Sequence, residues 1–109
     1  MWAAGLNHAG INMGLFLAGN SVHLIAGFGY VPRANVAPLY RQMLEFNLNS
    51  TGVFFAVKGD DYQLAIVCSR SAEGLDLQEF TWMLNQMAAT FFQMAVPIAQ
   101  KFQVSQTPT

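Results

Sequence analysis

The chain has 109 residues, of which 53% are apolar and only 10% charged, with a formal net charge of −1. Average usage is about 25% charged, so there is too little charge to cover a monomer, and part of the apolar surplus is expected to face a second copy, a missing segment or a ligand. The five basic residues, Arg33, Arg41, Lys58, Arg70 and Lys101, are scattered and leave no nucleic-acid footprint. The longest strongly apolar stretch, "AATFFQMAVPIA", falls short of the ~20 residues of a membrane span. "MWAAGLNHAG" lacks the basic and apolar regions of a secretory signal. One cysteine, Cys68, excludes an internal disulfide and fits a reducing, cytoplasmic setting.

A chain of this length reads as one domain over 1–109, with its core in 10–104 and a frayed polar tail over 105–109. Residues 1–9 read as an irregular segment carrying Trp2 and Leu6. From Ile11 the pattern alternates: Ile11, Met13, Leu15 and Leu17 on one side, Asn12, Gly14, Phe16 and Ala18 on the other. Gly19 and Asn20 tolerate the positive φ of a tight turn. Residues 10–30 therefore predict a hairpin, with Gly27 and Gly29 marking a bulge or a close backbone approach.

The period then changes. Val36, Leu39, Tyr40, Met43, Leu44 and Asn47 share one helical face, with Asn35 as N-cap and Pro38 in the first turn. A second hairpin follows, with Val53, Phe55 and Val57 before a "GDD" turn and Tyr62, Leu64, Ile66 and Cys68 after it. Asp76 and Glu79 form a capping pattern before a last helix carrying Leu77, Phe80, Leu84, Met87, Ala88, Phe91, Ala95, Ile98 and Phe102 at helical spacing. Pro97 must kink or interrupt it. The order is hairpin–helix–hairpin–helix: an α+β fold with an antiparallel sheet from two hairpins and two helices packed on it.

The candidate chemistry is thin. Asp60 and Asp61 are adjacent, so they diverge in a strand and point outward in a turn, and the turn is the better reading. His8 and His23 lack a third ligand at metal spacing. Cys68 sits on a strand and reads as an inert buried thiol. No glycine-rich phosphate loop is present. Catalytic residues, metal and cofactor are all expected to be absent. Methionines and aromatics make the last helix apolar over most of its circumference. Leu84, Met87, Phe91 and Ile98 are assigned to the core. Trp82, Phe92 and Met94 are assigned to a dimer seam or a partner groove.

"LYRQMLEFN" ending at Asn47, the acidic hairpin turn and "LDLQEFTWMLNQMA" opening the last helix resemble the bacterial YbjN-like family, within the type III secretion chaperone-like superfamily. The resemblance spans about residues 10–104. It implies an often dimeric α+β module that holds a partly unfolded protein segment, with no catalytic residues. Asn47 matches the family's helix end, where it serves a turn. The superfamily usually begins with a helix before the first hairpin; here only "MWAAGLNHA" precedes it, so that helix is absent, lies outside this sequence, or is replaced by the irregular segment with Trp2 and Leu6. A roadblock- or longin-like module is the runner-up fold. The functional expectation is a non-enzymatic, dimeric protein-interaction or chaperone-like module. The alternative is an apolar small-molecule pocket between the sheet and the last helix, with Tyr40, His23 and Cys68 as its polar contacts.

Overall fold

The computed structural model describes residues 2–107. Five strands and three helical segments follow in the order β1 (Trp2–His8), β2 (Ile11–Ala18), β3 (Ser21–Tyr30), α1 (Val36–Asn49), β4 (Val53–Lys58), β5 (Gln63–Ser71) and α2 (Leu77–Thr90). A π-helical turn (Phe91–Ala95) then joins α2 to α3 (Val96–Lys101). The strands form one antiparallel sheet in the order β1-β2-β3-β5-β4.

The period-two pattern decides which face is covered. Ile11 and Met13 of β2, Val22, Leu24, Ala26 and Phe28 of β3, Leu64, Ile66 and Cys68 of β5, and Val53 and Phe55 of β4 are all buried. They meet Leu39 and Met43 of α1, Met83 and Met87 of α2, and Ile98 of α3 in one cluster. Phe28 and Phe46 both pack edge-on against Phe55, with ring centroids 5.6 and 5.1 Å away. The opposite face carries Phe16, Ile25, Val67 and Phe54 and stays outside that cluster.

Both expected hairpins and both helices form, and a third hairpin precedes them. Residues 2–8 are a strand, not an irregular segment. Ala9 (φ 54) and Gly10 (φ 80) turn it into β2. A left-handed alanine is unusual in a turn of this kind, and Ala3, Ala4 and Gly5 blunt the alternation. The superfamily's first helix has no counterpart among the described residues.

Two other local expectations change, and a third takes a specific form. Asn35 adopts a left-handed conformation (φ 61) and makes no side-chain cap, so only its carbonyl serves the helix, accepting from the Leu39 N–H at 3.2 Å. Pro97 interrupts the last α-helix, as expected, and the interruption takes the form of a π-helical turn at Phe91–Ala95. The wider π turn just before it routes the Val96 N–H to the Phe91 carbonyl, and helical dihedrals continue into α3. The tail begins pinned, not frayed. Val104 is buried and the Tyr30 N–H donates to the Ser105 carbonyl at 2.7 Å. Residues 108–109 lie outside the described residues.

The Asp76 cap holds as expected, its Oδ1 accepting from the Glu79 N–H at 2.8 Å. The glycine expectation holds too. The β3–β5 register shifts between Gly27 and Gly29. Gly29 has φ +143, and a Cβ there would lie 2.2 Å from Val104 Cγ1. Gly29→Ala should therefore cost about 1–3 kcal/mol through backbone strain and loss of the tail's seat. Gly5→Ala, with nothing within 4 Å of its Cβ, should leave stability intact. Urea unfolding of the two variants checks the contrast.

Candidate partner-binding surface

Helix α1 buries Leu39 and Met43, two residues one turn apart. Its neighbouring stripe is left bare. Leu44 is 65% exposed and Leu48 83% exposed, one turn apart on the same flank. Leu44 was placed with the core-facing residues by its spacing. The structure moves it outward because the sheet ends at β4, and α1 lies along that edge with no strand beneath its outer flank.

What holds α1 there is Asn47. Its Nδ2 donates to the Phe55 carbonyl at 3.0 Å and its Oδ1 accepts from the Phe55 N–H at 2.8 Å. The carboxamide thus pairs with the edge strand as a neighbouring peptide group would. Ser50, just past the helix, donates its hydroxyl to the Val53 carbonyl. The role read from sequence for Asn47 was a helix-end turn; its backbone carbonyl does accept from the Ser50 N–H at 3.2 Å, but the side chain works on the sheet.

Between α1 and β4 lies a cleft of ≈ 400 Å³ lined by Tyr40, Met43, Leu44, Phe55, Val57 and Tyr62. Val57 and Tyr62 are themselves exposed, as is Phe54 round the edge. Leu44 joins Val57 and Tyr62 in lining this cleft and Leu48 in lining the next, so exposed apolar side chains follow the α1–β4 side of the molecule. The rim carries one ion pair, Arg41 Nε to Glu45 Oε1 at 2.8 Å, fully in water. The Glu45 carboxylate, by hydrogen bond and charge, holds the Arg41 guanidinium above its usual pKa. Such exposed pairs contribute little to stability.

The residues singled out in the last helix divide. Trp82 is 50% exposed and Phe92 53% exposed, with Phe92 standing edge-on to Phe91 at 5.5 Å. Met94 is half-buried and packs against the core. Leu77 is also bare. The core assignments hold for Met87 and Ile98, which are buried, while Leu84 and Phe91 pack at the core's margin.

Asp60 and Asp61 lie exposed in the β4–β5 turn, between Gly59 (φ 75) and Tyr62 (φ 57). They turn the chain and converge on nothing. His8 Nε2 sits 3.1 Å from Asn85 Oδ1, and His23 Nδ1 sits 2.6 Å from Ser69 Oγ on the uncovered sheet face. Among the described residues no three His, Cys, Asp or Glu side chains gather as a metal site. Among them too, no helix is long and apolar enough to cross a membrane. Tyr40, His23 and Cys68 are not brought together. Tyr40 lines the α1 cleft, His23 is on the far face, and Cys68 is buried under the helices. A cleft of ≈ 600 Å³ does lie between the sheet's end and the last helix, but Gln63, Gln100, Gln106 and Tyr30 are its polar lining.

Sequence reasoning missed Leu48 and Tyr62 and misassigned Leu44. The available signal was an i, i+4 leucine pair on a helix whose core stripe was already complete with Leu39 and Met43.

The fold is YbjN-like and type III secretion chaperone-like, as likeness to solved structures shows. No family model and no curated sequence matches the chain. Solved structures do. A chain of the heterodimeric ExoU–SpcU complex from the type III secretion system of Pseudomonas aeruginosa superposes with a TM-score of 0.72 at 16% identity, over 88% of this chain and 81% of that one. YbjN from E. coli gives 0.69 at 23% identity, over 94% and 78%. A chain of the ExsC–ExsE complex gives 0.67 at 16% identity, over 96% and 78%.

Burial raises the Cys68 thiol above its usual 9.0, and the Arg70 charge offsets only part of that rise. A raised folded-state pKa means that the neutral thiol's stabilisation is complete below the unfolded value and is lost as pH rises through the folded one. Cys68→Ala should thus cost about 1 kcal/mol near neutrality. The gap between wild type and variant should narrow as pH rises above 9.0. Denaturant titrations at neutral and alkaline pH measure both.

Proposed function

We propose that this protein is a non-enzymatic, dimeric protein-binding module of the secretion-chaperone type, working in the bacterial cytoplasm. The observation that carries the reading is the bare apolar side of α1 and β4. Leucines left mostly in water beside an apolar cleft mark an interaction surface. A second copy fits it. That side runs along a helix and an edge strand and its rim charges cancel, so a two-fold axis places each copy's Leu44 and Leu48 against the other's cleft. The ExoU–SpcU and ExsC–ExsE structures are complexes of two different proteins, which supports a protein as the second ligand.

Trp82 and Phe92 are the proposed contacts for that protein partner. Met94 belongs to the same proposal but is half-buried, so its substitution reports on packing as well. A ligand pocket is the second reading, and the cleft near Gly29 favours it. It predicts a rise in melting temperature with a bound small molecule.

Native mass spectrometry and sedimentation should show a dimer for the wild type. Leu48→Asp should give a folded monomer, since Leu48 contributes almost nothing to the core. A wild-type monomer at all concentrations would sink the dimer. Trp82→Ala should keep the dimer and its circular dichroism while weakening partner capture. Loss of fold would return Trp82 to the core.

A further inference from the structure

Strand β3 outlasts its neighbour β2. Ala18 and Ser21 flank a two-residue turn, which makes them a hydrogen-bonded pair. Alternation then turns the N–H and C=O groups of Ser21, His23, Ile25 and Gly27 toward the β2 side. Pairing with β2 stops at Gly14 and Ile25. The peptide groups of Gly27 are therefore left over, at the wall of the ≈ 600 Å³ cleft that Gly27 lines. Among the described residues no hydrogen bond outside the strand ladders reaches Gly27. Gln63 stands on the same side of the cleft, and Phe91, Val96 and Gln100 of the helical rod stand opposite.

Three carboxamides, Gln63, Gln100 and Gln106, gather round this cleft with the Tyr30 hydroxyl. Among the described residues none of these four side chains hydrogen-bonds to another protein group. Other amides of the chain are engaged: Asn47 on Phe55, Asn7 on Asn12, Gln42 on Lys101. Gly27 adds an independent observation. Its φ is not positive, so no turn demands glycine there. A Cβ at that position would instead collide with Nε2 of Gln63. Glycine is what lets the Gln63 carboxamide lie across the strand at the cleft wall.

Among the described residues no Asp, Glu, Lys, Arg or His lines the cleft. An ionic ligand would lose water there and find no counter-charge. A carboxamide offers two donors and an acceptor, and the single peptide of Gly27 offers one of each. Such groups suit a ligand edge that carries both kinds. An extended chain would need a row of peptide groups, and the next outward donor, the Tyr30 N–H, is already taken by the Ser105 carbonyl at 2.7 Å. The half-buried Phe91 ring gives the cleft a flat apolar wall, which favours a planar ring over a puckered sugar. A purine joins the two requirements, since it has a stacking face and the donor–acceptor edge with which glutamine pairs in adenine. We propose that this cleft binds an uncharged purine base or nucleoside, its edge held by the Gln63 and Gln100 carboxamides and the Gly27 peptide, its ring against Phe91. This rests on the ligand reading above, gives that ligand a chemical class, and is separate from the protein-binding surface.

The test uses the full chain, with adenosine and methyl glucoside as probes, followed by NMR titration. Adenosine should saturably shift the backbone amides of Gly27 and Gly29 and the side-chain amides of Gln63 and Gln100, and leave Leu44 and Leu48 unchanged. Adenosine monophosphate should bind no more tightly than adenosine, because the cleft holds no cation for its phosphate. Gln100→Leu alters an exposed side chain, so it should keep its circular dichroism and weaken binding about fivefold to tenfold. Gly27→Ala pushes the Gln63 carboxamide aside and should weaken binding by a similar factor. Tighter binding of the monophosphate, shifts elsewhere on the molecule, or unchanged affinity in both variants overturns the proposal. Methyl glucoside binding in the cleft in place of adenosine overturns the purine assignment and keeps the ligand reading. Binding of neither probe overturns both, while a dimer split by Leu48→Asp leaves the protein-binding reading standing.

Discussion

The carboxamide of Asn47 against the backbone of Phe55 is the contact on which the rest of the molecule depends. Two hydrogen bonds to a main-chain edge are worth about 1–3 kcal/mol together, but their direction matters more than their strength. They fix α1 alongside β4 instead of squarely over the sheet. Phe46, on the same helix, then reaches Phe55, and Phe55 reaches Phe28. That chain of edge-on rings couples α1 to the common core. The same placement leaves Leu44 and Leu48 in water and opens the cleft beneath Tyr40 and Tyr62. A helix rolled inward would bury the leucines and close it.

The exposed apolar surface is what the helices leave uncovered. One sheet face is packed under α1, α2 and α3 and is dry. The other carries Phe16, Ile25, Phe54 and Val67, with the Lys58 ammonium 5.8 Å from the Phe16 ring as a thin polar cover. A chain with this little charge cannot screen such surfaces with ion pairs. The Arg70–Glu79 bridge at 2.9 Å ties β5 to the start of α2 and is itself half in water. The remaining apolar area stays in water in the single chain, which is the condition under which association becomes favourable.

The far end of the fold shows how a local constraint is absorbed. Pro97 has no N–H to offer the preceding turn. A π turn widens the backbone just before it, so one nearly continuous helical rod still crosses the sheet and returns the chain to Gly29. Val104 fills the space that a side chain at Gly29 would take. The bulge, the proline and the tail are thus one device, distributed over residues that lie far apart in sequence.

Much of this was legible in the sequence. Alternation placed β2, β3, β4 and β5. Helical spacing placed α1 and α2, Asp76 announced its cap, and Gly27 and Gly29 announced the bulge. The turn role of Asp60 and Asp61 followed from their adjacency. These are local signals, set by side-chain periodicity and by the dihedrals each residue tolerates. β1 escaped because alanine and glycine carry almost no alternation, and because Ala9 takes a left-handed turn that it seldom adopts. Leu44 escaped because spacing tells which side chains share a face, never whether a sheet lies beneath that face. The pairing of Asn47 with Phe55 and the bare leucine pair both depend on where the sheet ends. Sequence by itself determined β2 to β5, α1 and α2 and most of their inward faces. Only the tertiary structure decided which apolar residues were left over, because that depends on contacts between segments whose separation no local pattern encodes.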